Sequence, residues 1–475
     1  MQRHIPLLLA GLSLMTVLQG CGGGGGGSAS TSTPVTVPAA PSGVTAAGTN
    51  SAITVQWSSV PQATSYTIFV GTSSGDYTTT VPGVSALSYS VPNLTNGTEY
   101  YIAVAAQNAA GTGAKSSGIT AAPSNEIAYV ANQTAGTISA FQVNMLNGNL
   151  TELPGSPYTA AAGTYSLAVN GSNTYLYSAN SAAGNVSVFS ISATNGALTE
   201  VAGSPFVAGT DPVSVAVLGT GAYVYAINYG DNGSPETQYS VSGFSSNSAG
   251  YLSPTPGSPY TVGEYPTSAV IISGSNLLYV ANQGLSGLYG YQINQATGSL
   301  AAAQGSPYSI ASIASAYAIA SYGSNLFVAE YAPGPSPVAQ LSVDTTTGNV
   351  TAIQGSTPQS GPDSQSIAIS PNGQFVYIQN YWAPVTISVF ASDGTTGALT
   401  EISGSPFNVG AGALGNGYGL AVDPTGKFLY SLATAKGMYI FSIDQSTGAI
   451  SLQSQPTLSS LSGANYMEIV SLPTP

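Results

Sequence analysis

The side chains able to perform acid–base chemistry in this sequence are almost all carboxylates. The 475 residues include 17 Asp and Glu, four Lys and Arg and one His, for a formal net charge of −13. Beyond position 21 the basic residues are Lys115, Lys427 and Lys436, and neither Arg nor His occurs. Catalysis by an imidazole base is therefore excluded there. Nucleic acid is excluded as a partner, because phosphate binding requires clustered Lys and Arg.

Carboxylates and aromatic rings remain as candidates to react or to bind. Glu330 stands where five other copies of a repeated motif carry Asn, and it could act as a general base, bind a cation or simply face water. Asp211 is the second candidate base. The chain has 30 Tyr, whose rings suit the faces of sugars, although packing accounts for most of them. The predicted ligand-binding residues are Tyr381, Trp382, Tyr331, Tyr229, Asp211, Asp363 and Glu330.

A metal site is a weaker alternative. Asp211, Glu264, Glu330 and Asp363 could converge on a hard cation such as calcium, but no contiguous calcium-loop spacing occurs. No metal or cofactor is therefore predicted. The Asn series has a structural interpretation, in which Asn at a strand end caps the following turn.

The elements that position these residues belong to a repeat of about fifty residues, the period of a β-propeller blade. One copy reads Tyr279–Asn282, then Gly298–Leu300, then Gly305–Tyr308. Short strands at this period predict an all-β, seven-bladed β-propeller. The strand motif occurs seven times, at Tyr129–Asn132, Tyr177–Asn180, Tyr225–Asn228, Tyr279–Asn282, Phe327–Glu330, Tyr377–Asn380 and Tyr430–Ala433.

Each repeat contains four strand-like runs, of which the first is small and apolar, as an innermost strand should be. The first repeat begins at its second strand, and the chain ends on a lone strand, Tyr466–Val470. This C-terminal strand is predicted to complete the first blade and so to remove an open sheet edge. Four tyrosines are predicted to share one position before the inner strand: Tyr165, Tyr317, Tyr418 and Tyr466.

The N-terminus has the pattern of an export signal. A short basic start and an apolar run over 1–20 lead to Leu18–Cys21, which resembles the lipobox of bacterial lipoproteins. That resemblance implies acylation of Cys21, a membrane anchor, and export to the outer membrane or cell surface, with the periplasm as an alternative. A plain secretory signal is the other interpretation. Residues 21–40 are predicted to be a Gly/Ser/Thr/Pro linker.

Residues 41–123 alternate in short strands and resemble the fibronectin type III family. Trp57 matches its early core tryptophan, Leu94 and Tyr100 match its tyrosine corner, and Asn108 with Gly111 matches the end of its penultimate strand. The resemblance implies a β-sandwich, interpreted as a spacer.

Residues 124–475 resemble the lactonase-like propeller family, which includes 6-phosphogluconolactonases and carboxymuconate cyclases. The motifs that carry the resemblance are Tyr-Val-Ala-Asn and Thr-Gly-x-Leu. It implies a site with Arg, His and an acid on the face where loops enter the inner strands. The sequence beyond position 21 has neither Arg nor His, so hydrolysis of a phosphorylated lactone is not expected.

The sequence therefore predicts a lipid-anchored protein whose propeller binds a neutral glycan or a protein partner. A lactonase-like hydrolase that acts on an uncharged lactone through Glu330 or Asp211 is the first alternative. A structural or adhesive component of the cell surface is the second, since only 4% of the residues are charged.

Overall fold

The computed structural model describes residues 35–230, 239–284, 287–309, 314–353, 358–382, 384–409, 419–433 and 437–473. Within these ranges the regular structure is entirely β-strand, as the sequence predicted. No helix capable of crossing a membrane occurs in this part of the chain. The predicted signal peptide, Cys21, Tyr418 and Lys436 lie outside the described residues.

The N-terminal domain is a sandwich of two antiparallel sheets. β1, β2 and β5 form one sheet; β4, β3, β6 and β7, with β8 against β6, form the other. Trp57 is buried between them, and the Tyr100 hydroxyl accepts a hydrogen bond from Thr95 N at 3.1 Å, as expected for a tyrosine corner. Thr36 O accepts a bond from Asn108 Nδ2 at 2.8 Å, so the chain ahead of position 41 already lies on this domain. The strands are β1 (Thr45–Thr49), β2 (Ala52–Gln56), β3 (Ser65–Gly71), β4 (Thr79–Val84), β5 (Ser88–Val91), β6 (Tyr100–Asn108), β7 (Gly111–Lys115) and β8 (Ile119–Ala121).

The described part of the C-terminal domain contains seven antiparallel blade sheets and one separate two-stranded sheet. Most blades are formed by strands that follow one another along the chain. Blade 1 contains β9 (Glu126–Asn132), β10 (Thr137–Val143), β11 (Leu150–Glu152) and β12 (Tyr158–Thr159). Blade 2 contains β13 (Thr164–Val169), β14 (Tyr175–Asn180), β15 (Asn185–Ile191), β16 (Leu198–Glu200) and β17 (Phe206–Val207). Blade 3 contains β18 (Pro212–Val217), β19 (Tyr223–Asn228), β20 (Ser240–Ser246), β21 (Leu252–Pro254) and β22 (Tyr260–Thr261). Blade 4 contains β23 (Pro266–Ile271), β24 (Leu277–Asn282), β25 (Leu288–Ile293) and β26 (Leu300–Ala302).

The remaining blades follow the same order, and blade 5 carries an addition that the sequence did not predict. Its strands are β27 (Ala316–Tyr322), β28 (Asn325–Glu330), β30 (Ala339–Val343) and β31 (Val350–Ala352), with a separate pair formed by β29 (Pro335–Pro337) and β32 (Gln359–Pro362). Blade 6 contains β33 (Ser364–Ile369), β34 (Phe375–Asn380), β35 (Thr386–Ser392), β36 (Leu399–Glu401) and β37 (Phe407–Asn408). Blade 7 contains β38 (Leu420–Val422), β39 (Phe428–Ala433), β40 (Gly437–Ile443) and β41 (Ile450–Ser454).

The C-terminal strand closes the ring, as predicted. β42 (Ala464–Ser471) pairs antiparallel with β9 and becomes the inner strand of blade 1. Met467 packs against blade 7 and Val470 against blade 2, and each is 3% exposed. Closure therefore buries apolar side chains on both faces of one strand, and it also pairs the inner edge of blade 1.

The repeated tyrosine joins neighbouring blades. The Tyr129 hydroxyl in blade 1 donates to Gly196 O in blade 2 at 2.6 Å, and the Tyr430 hydroxyl in blade 7 donates to Gly148 O in blade 1 at 2.8 Å. The acceptor in each case is the glycine of the Thr-Gly-x-Leu type turn. Two of the sequence markers thus form the two ends of one buried hydrogen bond, which explains their common period.

The Gly-Ser-Pro element has a local role. Between the stretches of the third strand that pair with the two short outer strands, the serine hydroxyl accepts a backbone N–H, as in Ser204 Oγ from Val188 N at 3.0 Å. The same bond, at 2.9–3.0 Å, is made by Ser156, Ser258, Ser306 and Ser405. The motif therefore satisfies a strand donor that would otherwise lack a partner.

Candidate functional site

A β-bulge near the start of the inner strand in six blades places one side chain in the wall of the axial cavity. The register skips Tyr165 in blade 2 and Tyr317 in blade 5, and the same shift recurs in blades 1, 3, 4 and 6. A bulge turns a side chain out of the regular alternation and is common beside functional sites. The six bulged residues all line an axial cavity of about 370 Å³: Tyr165, Val213, Thr267, Tyr317, Gln365 and Asn465.

This register corrects one prediction about the tyrosines. Tyr466 does not occupy the position of Tyr165 and Tyr317, because Asn465 is the bulged residue of β42 and Tyr466 pairs with Ala131. Tyr466 still lines the cavity, one residue further along the strand. A bulge shifts the strand pairing by a single residue, and the sequence pattern does not show which residue it skips.

A smaller pocket of about 200 Å³ adjoins this cavity on the face where the loops enter the inner strands. Its wall combines phenol, amide and hydroxyl groups with one carboxylate, and none of the described residues that line it is Lys or Arg. The pocket shares four lining residues with the axial cavity. It is lined by Gln133, Tyr165, Asp211, Val213, Tyr229, Thr267, Gln283 and Tyr317. We call this space the mouth pocket.

Two predicted residues, Asp211 and Tyr229, meet in the mouth pocket. Asp211 precedes β18 with a left-handed φ of 52°, and its carbonyl accepts the backbone N–H of Tyr229 at 2.9 Å. Tyr229 directly follows β19, and its ring lies 5.7 Å from that of Tyr265. Burial raises the pKa of the Tyr229 phenol, and the neighbouring Tyr265 and the Asp211 charge raise it further. The phenol therefore remains protonated and can act as a hydrogen-bond donor.

The opposite part of the wall is also aromatic. Tyr331, a predicted ligand residue, is 46% exposed and stacks on Tyr317 with ring centroids 5.6 Å apart and planes inclined by 28°. Thr267 Oγ1 donates to Tyr317 O at 2.7 Å, which fixes this backbone beside the pocket. Burial raises the pKa of the Tyr165 phenol, against the opposing effect of its hydrogen bonds with Tyr317 and Asn465.

Tyr381, Trp382 and Asp363 form a separate group on blade 6. Tyr381 N donates to Asp363 O at 3.0 Å, and Trp382 is 54% exposed. Asp363 is 2% exposed, and its Oδ2 accepts a bond from Gln365 Nε2 at 3.2 Å. Burial raises the pKa of the Asp363 carboxyl, while hydrogen bonds from Gln365 and Trp382 act in the opposite direction. None of the three lines the mouth pocket.

Glu330 is buried rather than directed to water. It is 6% exposed, and its Oε1 accepts the backbone N–H groups of Ala314 at 2.8 Å and Ser315 at 3.3 Å. Asn228 holds the corresponding loop of blade 3 in the same way, since its Oδ1 accepts Gly209 N at 3.1 Å. Glu330 therefore performs in blade 5 the loop-holding role that Asn performs elsewhere, and it does not line the mouth pocket.

The Asn series does more than cap the following turn. Asn180 Nδ2 donates to Asn185 Oδ1 at 2.8 Å and to Ser187 Oγ at 2.9 Å on the next strand. Its Oδ1 accepts a bond from Thr164 on the inner strand at 3.2 Å. One amide thus joins three strands at the end nearest the mouth.

Sequence reasoning missed Gln133, Gln283 and Thr267 as pocket residues. The signal was positional: Gln133 and Gln283 follow the Asn of the strand motif, as Tyr229 does.

No group of His, Cys, Asp or Glu that could hold a metal ion occurs among the described residues. Lys427 lies in the turn between β38 and β39, on the opposite face of the ring.

Fold and site together define an all-β protein in which a fibronectin type III domain precedes a lactonase-like seven-bladed β-propeller. Residues 39–122 match the fibronectin type III domain. Residues 83–217 match the family described as "Lactonase, 7-bladed beta-propeller". This second match begins within the sandwich. From β9 onward it covers the strands of blades 1 and 2 up to β17 and the inner strand of blade 3. No curated protein matches the chain.

Similar solved structures share the propeller. A putative 6-phosphogluconolactonase from Bacteroides fragilis is 19% identical with a TM-score of 0.58, covering 73% of this chain and 98% of its own. A second one, from Bacteroides uniformis, is 17% identical with a TM-score of 0.61, covering 73% and 99%. The periplasmic gluconolactonase of Pseudomonas aeruginosa is 16% identical with a TM-score of 0.59, covering 73% and 99%. At these identities the likeness establishes the fold alone.

Proposed function

We propose that the propeller binds a small, polyhydroxylated ligand such as a sugar in the mouth pocket. The observation that carries this proposal is the composition of the wall: tyrosine rings at Tyr165, Tyr229 and Tyr317 beside amide groups and one carboxylate. Rings stack on the apolar faces of sugars, and amides and carboxylates bond to their hydroxyls. A wall without Lys or Arg gives no counter-charge to a phosphorylated ligand.

The test is a screen of neutral glycans followed by calorimetric titration of those that bind. Aromatic stacking contributes about 0.5–1.5 kcal/mol per ring beyond area burial, so Tyr229→Ala should weaken binding about 2- to 12-fold. Tyr322→Ala is the matched control, because this half-exposed tyrosine ends β27 at the opposite face of the ring. Equal losses in both variants would refute the pocket, as would failure of every glycan to bind.

The Trp382 group tests whether the binding surface extends beyond the mouth pocket. Trp382 is half exposed on the same face, and Trp57 is the only other tryptophan. A glycan longer than the pocket should change the emission of Trp382, and Trp382→Ala should then weaken that glycan several-fold while a monosaccharide is unaffected. Unchanged emission with a bound oligosaccharide would confine the site to the mouth pocket.

Lactone hydrolysis is a second candidate function, favoured by the position of Asp211 in the pocket wall. A carboxylate base there could activate water against an uncharged lactone, as the gluconolactonase name of one structural neighbour suggests. Hydrolysis of gluconolactone above the spontaneous rate, lost in Asp211→Asn, would establish it. Hydrolysis of 6-phosphogluconolactone is expected to stay at the spontaneous rate. Turnover of neither lactone would leave binding as the function.

We further propose that the protein is anchored through a lipid on Cys21. The support is the Leu18–Cys21 sequence, in which Cys21 is the only cysteine. Cys21→Ser should move the protein from the membrane fraction to the soluble fraction, and mass spectrometry of the wild type should find acyl groups on the mature N-terminus. A variant that still sediments with membranes would refute the anchor.

A further inference from the structure

The mouth pocket is acidic as well as aromatic, and this combination indicates the charge of its ligand. Asp211 contributes a carboxylate to the wall, and its charge is felt by two phenols, since it raises the pKa of both Tyr165 and Tyr229. Glu264 is exposed on the corresponding loop of blade 4 and acts in the same direction on Tyr239, after burial and Tyr265. The carboxylates that the structure describes at this face therefore favour a positive ligand.

The described lysines lie elsewhere and do not neutralise this field. Lys115 belongs to the N-terminal domain, where its Nζ lies 4.2 Å from the ring centroid of Phe69 and 4.5 Å from that of Tyr77. Lys427 lies on the opposite face, where its charge acts on Glu126. Neither Lys115 nor Lys427 therefore neutralises the negative charge that a cation meets in the mouth pocket.

The rings of the wall suit the same kind of ligand. Tyr165, Tyr229 and Tyr317 line a space of about 200 Å³. The ring of Tyr265 lies against Tyr229, and that of Tyr331 stacks on Tyr317. The negative faces of aromatic rings attract ammonium groups, and several rings with a carboxylate form the usual cage for such a group.

The backbone at Asp211 follows the pattern of this position in other blades. The residue directly before the inner strand also has positive φ at Gly463, Gly163, Tyr265 and Asp363. A substitution at Asp211 must therefore tolerate a left-handed backbone, which glycine reaches without steric cost.

We infer that the mouth pocket selects a ligand with a protonated amino group, and that within the proposed function this ligand is an amino sugar with a free amine. The Asp211 carboxylate pairs with the ammonium group, and the rings of Tyr229 and Tyr317 contact the sugar and the cation. The inference rests on the proposed sugar-binding function and adds the charge of the ligand.

The experiment compares glucosamine with glucose, which have similar size and differ in one amino group. At about pH 6, where the amine is protonated, titration of the full protein should find glucosamine bound about tenfold more tightly. Raising the salt from about 0.05 M to 0.5 M should reduce this ratio, because salt screens an accessible ion pair. N-acetylglucosamine, which is neutral, should bind like glucose.

Asp211→Asn is the decisive variant, because Asn tolerates the left-handed backbone and keeps an acceptor oxygen. It should lower the glucosamine-to-glucose ratio to about one, whereas Glu264→Gln should change the ratio less than about twofold. Equal binding of the two sugars by the wild type, or a ratio that survives Asp211→Asn, would overturn the inference and leave the sugar site standing. Binding of neither sugar nor any other glycan would instead remove the proposed function itself.

Discussion

At the scale of single residues, two buried carboxyl groups affect the stability of the protein. Glu126, at the start of β9, is 1% exposed, and Asp423, in the turn after β38, is fully buried. Burial raises the pKa of Glu126 to about 8, with the Asp423 charge as the second cause. Neither oxygen of Glu126 has a hydrogen-bond partner in the described part of the chain. Such a group is tolerated in its protonated form and is costly when it ionises.

The predicted consequence is a stability that falls as pH rises. Between the unfolded pKa of 4.5 and the folded pKa of about 8, the native state holds a proton that the unfolded chain has lost. At about 1.4 kcal/mol per pKa unit, the free energy of unfolding should decrease by a few kcal/mol across this window. Glu126→Gln should remove most of that slope in urea titrations at about pH 5 and pH 8.

The control for this experiment is Glu152→Gln, which changes an exposed carboxylate on β11. It should keep the wild-type slope. A wild-type protein equally stable at both pH values, or a slope as steep in Glu126→Gln as in the wild type, would show that Glu126 is not the group responsible.

At the scale of elements, each blade is held to the next by its own contacts, and β42 is the element on which the ring depends. It supplies seven paired positions to β9 and packs apolar side chains against blades 2 and 7. A repeat protein with an open junction would expose unpaired strand groups at blade 1.

Met467→Ala should therefore lower the free energy of unfolding by about 2–5 kcal/mol, the usual cost of truncating a buried Met. Met467 is 3% exposed, whereas Leu452 on β41 is 51% exposed. Leu452→Ala should change stability by less than about 0.5 kcal/mol. Similar denaturant midpoints for the two variants would mean that β42 does not close the ring in solution.

At the scale of the whole molecule, the two domains are joined by side-chain contacts as well as by the chain. Asn50, in the turn after β1, is 6% exposed, and its Nδ2 donates to Pro473 O at 2.8 Å, just beyond the closing strand. Its Oδ1 accepts a bond from Asn96 Nδ2 at 3.0 Å. Ser124 N also donates to Thr49 O at 3.2 Å at the junction. The N-terminal domain is thus in contact with the segment that closes the propeller, which is more than a spacer requires.

Asn50→Ala should uncouple the unfolding of the two domains. It removes a hydrogen bond worth about 1 kcal/mol and leaves Pro473 O without this donor. In a Trp382→Phe background, Trp57 emission reports on the N-terminal domain and far-ultraviolet circular dichroism reports mainly on the larger propeller. The two signals should coincide on heating when Asn50 is present and separate in its absence. Ser90→Ala, an exposed change on β5, should keep them together, and coincident signals in Asn50→Ala would contradict the coupling.

The sequence by itself determined the architecture, because each motif makes its bond within a blade or to the next blade. In five blades the tyrosine of the strand motif is bonded to the glycine of the turn in the next blade, so the two motifs recur together. The sevenfold recurrence of the strand motif predicted the number of blades. Ring closure followed from the one strand left over at the C-terminus. Hydrogen bonds within a blade or between adjacent blades recur with the sequence repeat, so the repeat predicts them.

The tertiary structure alone decided which side chains face the axis. A bulge of one residue places Tyr165 and Tyr317 in the cavity wall and sets Tyr466 in a different register, and no local sequence pattern announces it. The environment of Glu330 could not be predicted either. Its carboxylate accepts a backbone N–H from the loop at Ala314 and does not face water or the mouth pocket, and only the folded loop decides this. The pocket gathers Asp211, Gln283 and Gln133 from different blades, and such convergence arises only when the ring is closed.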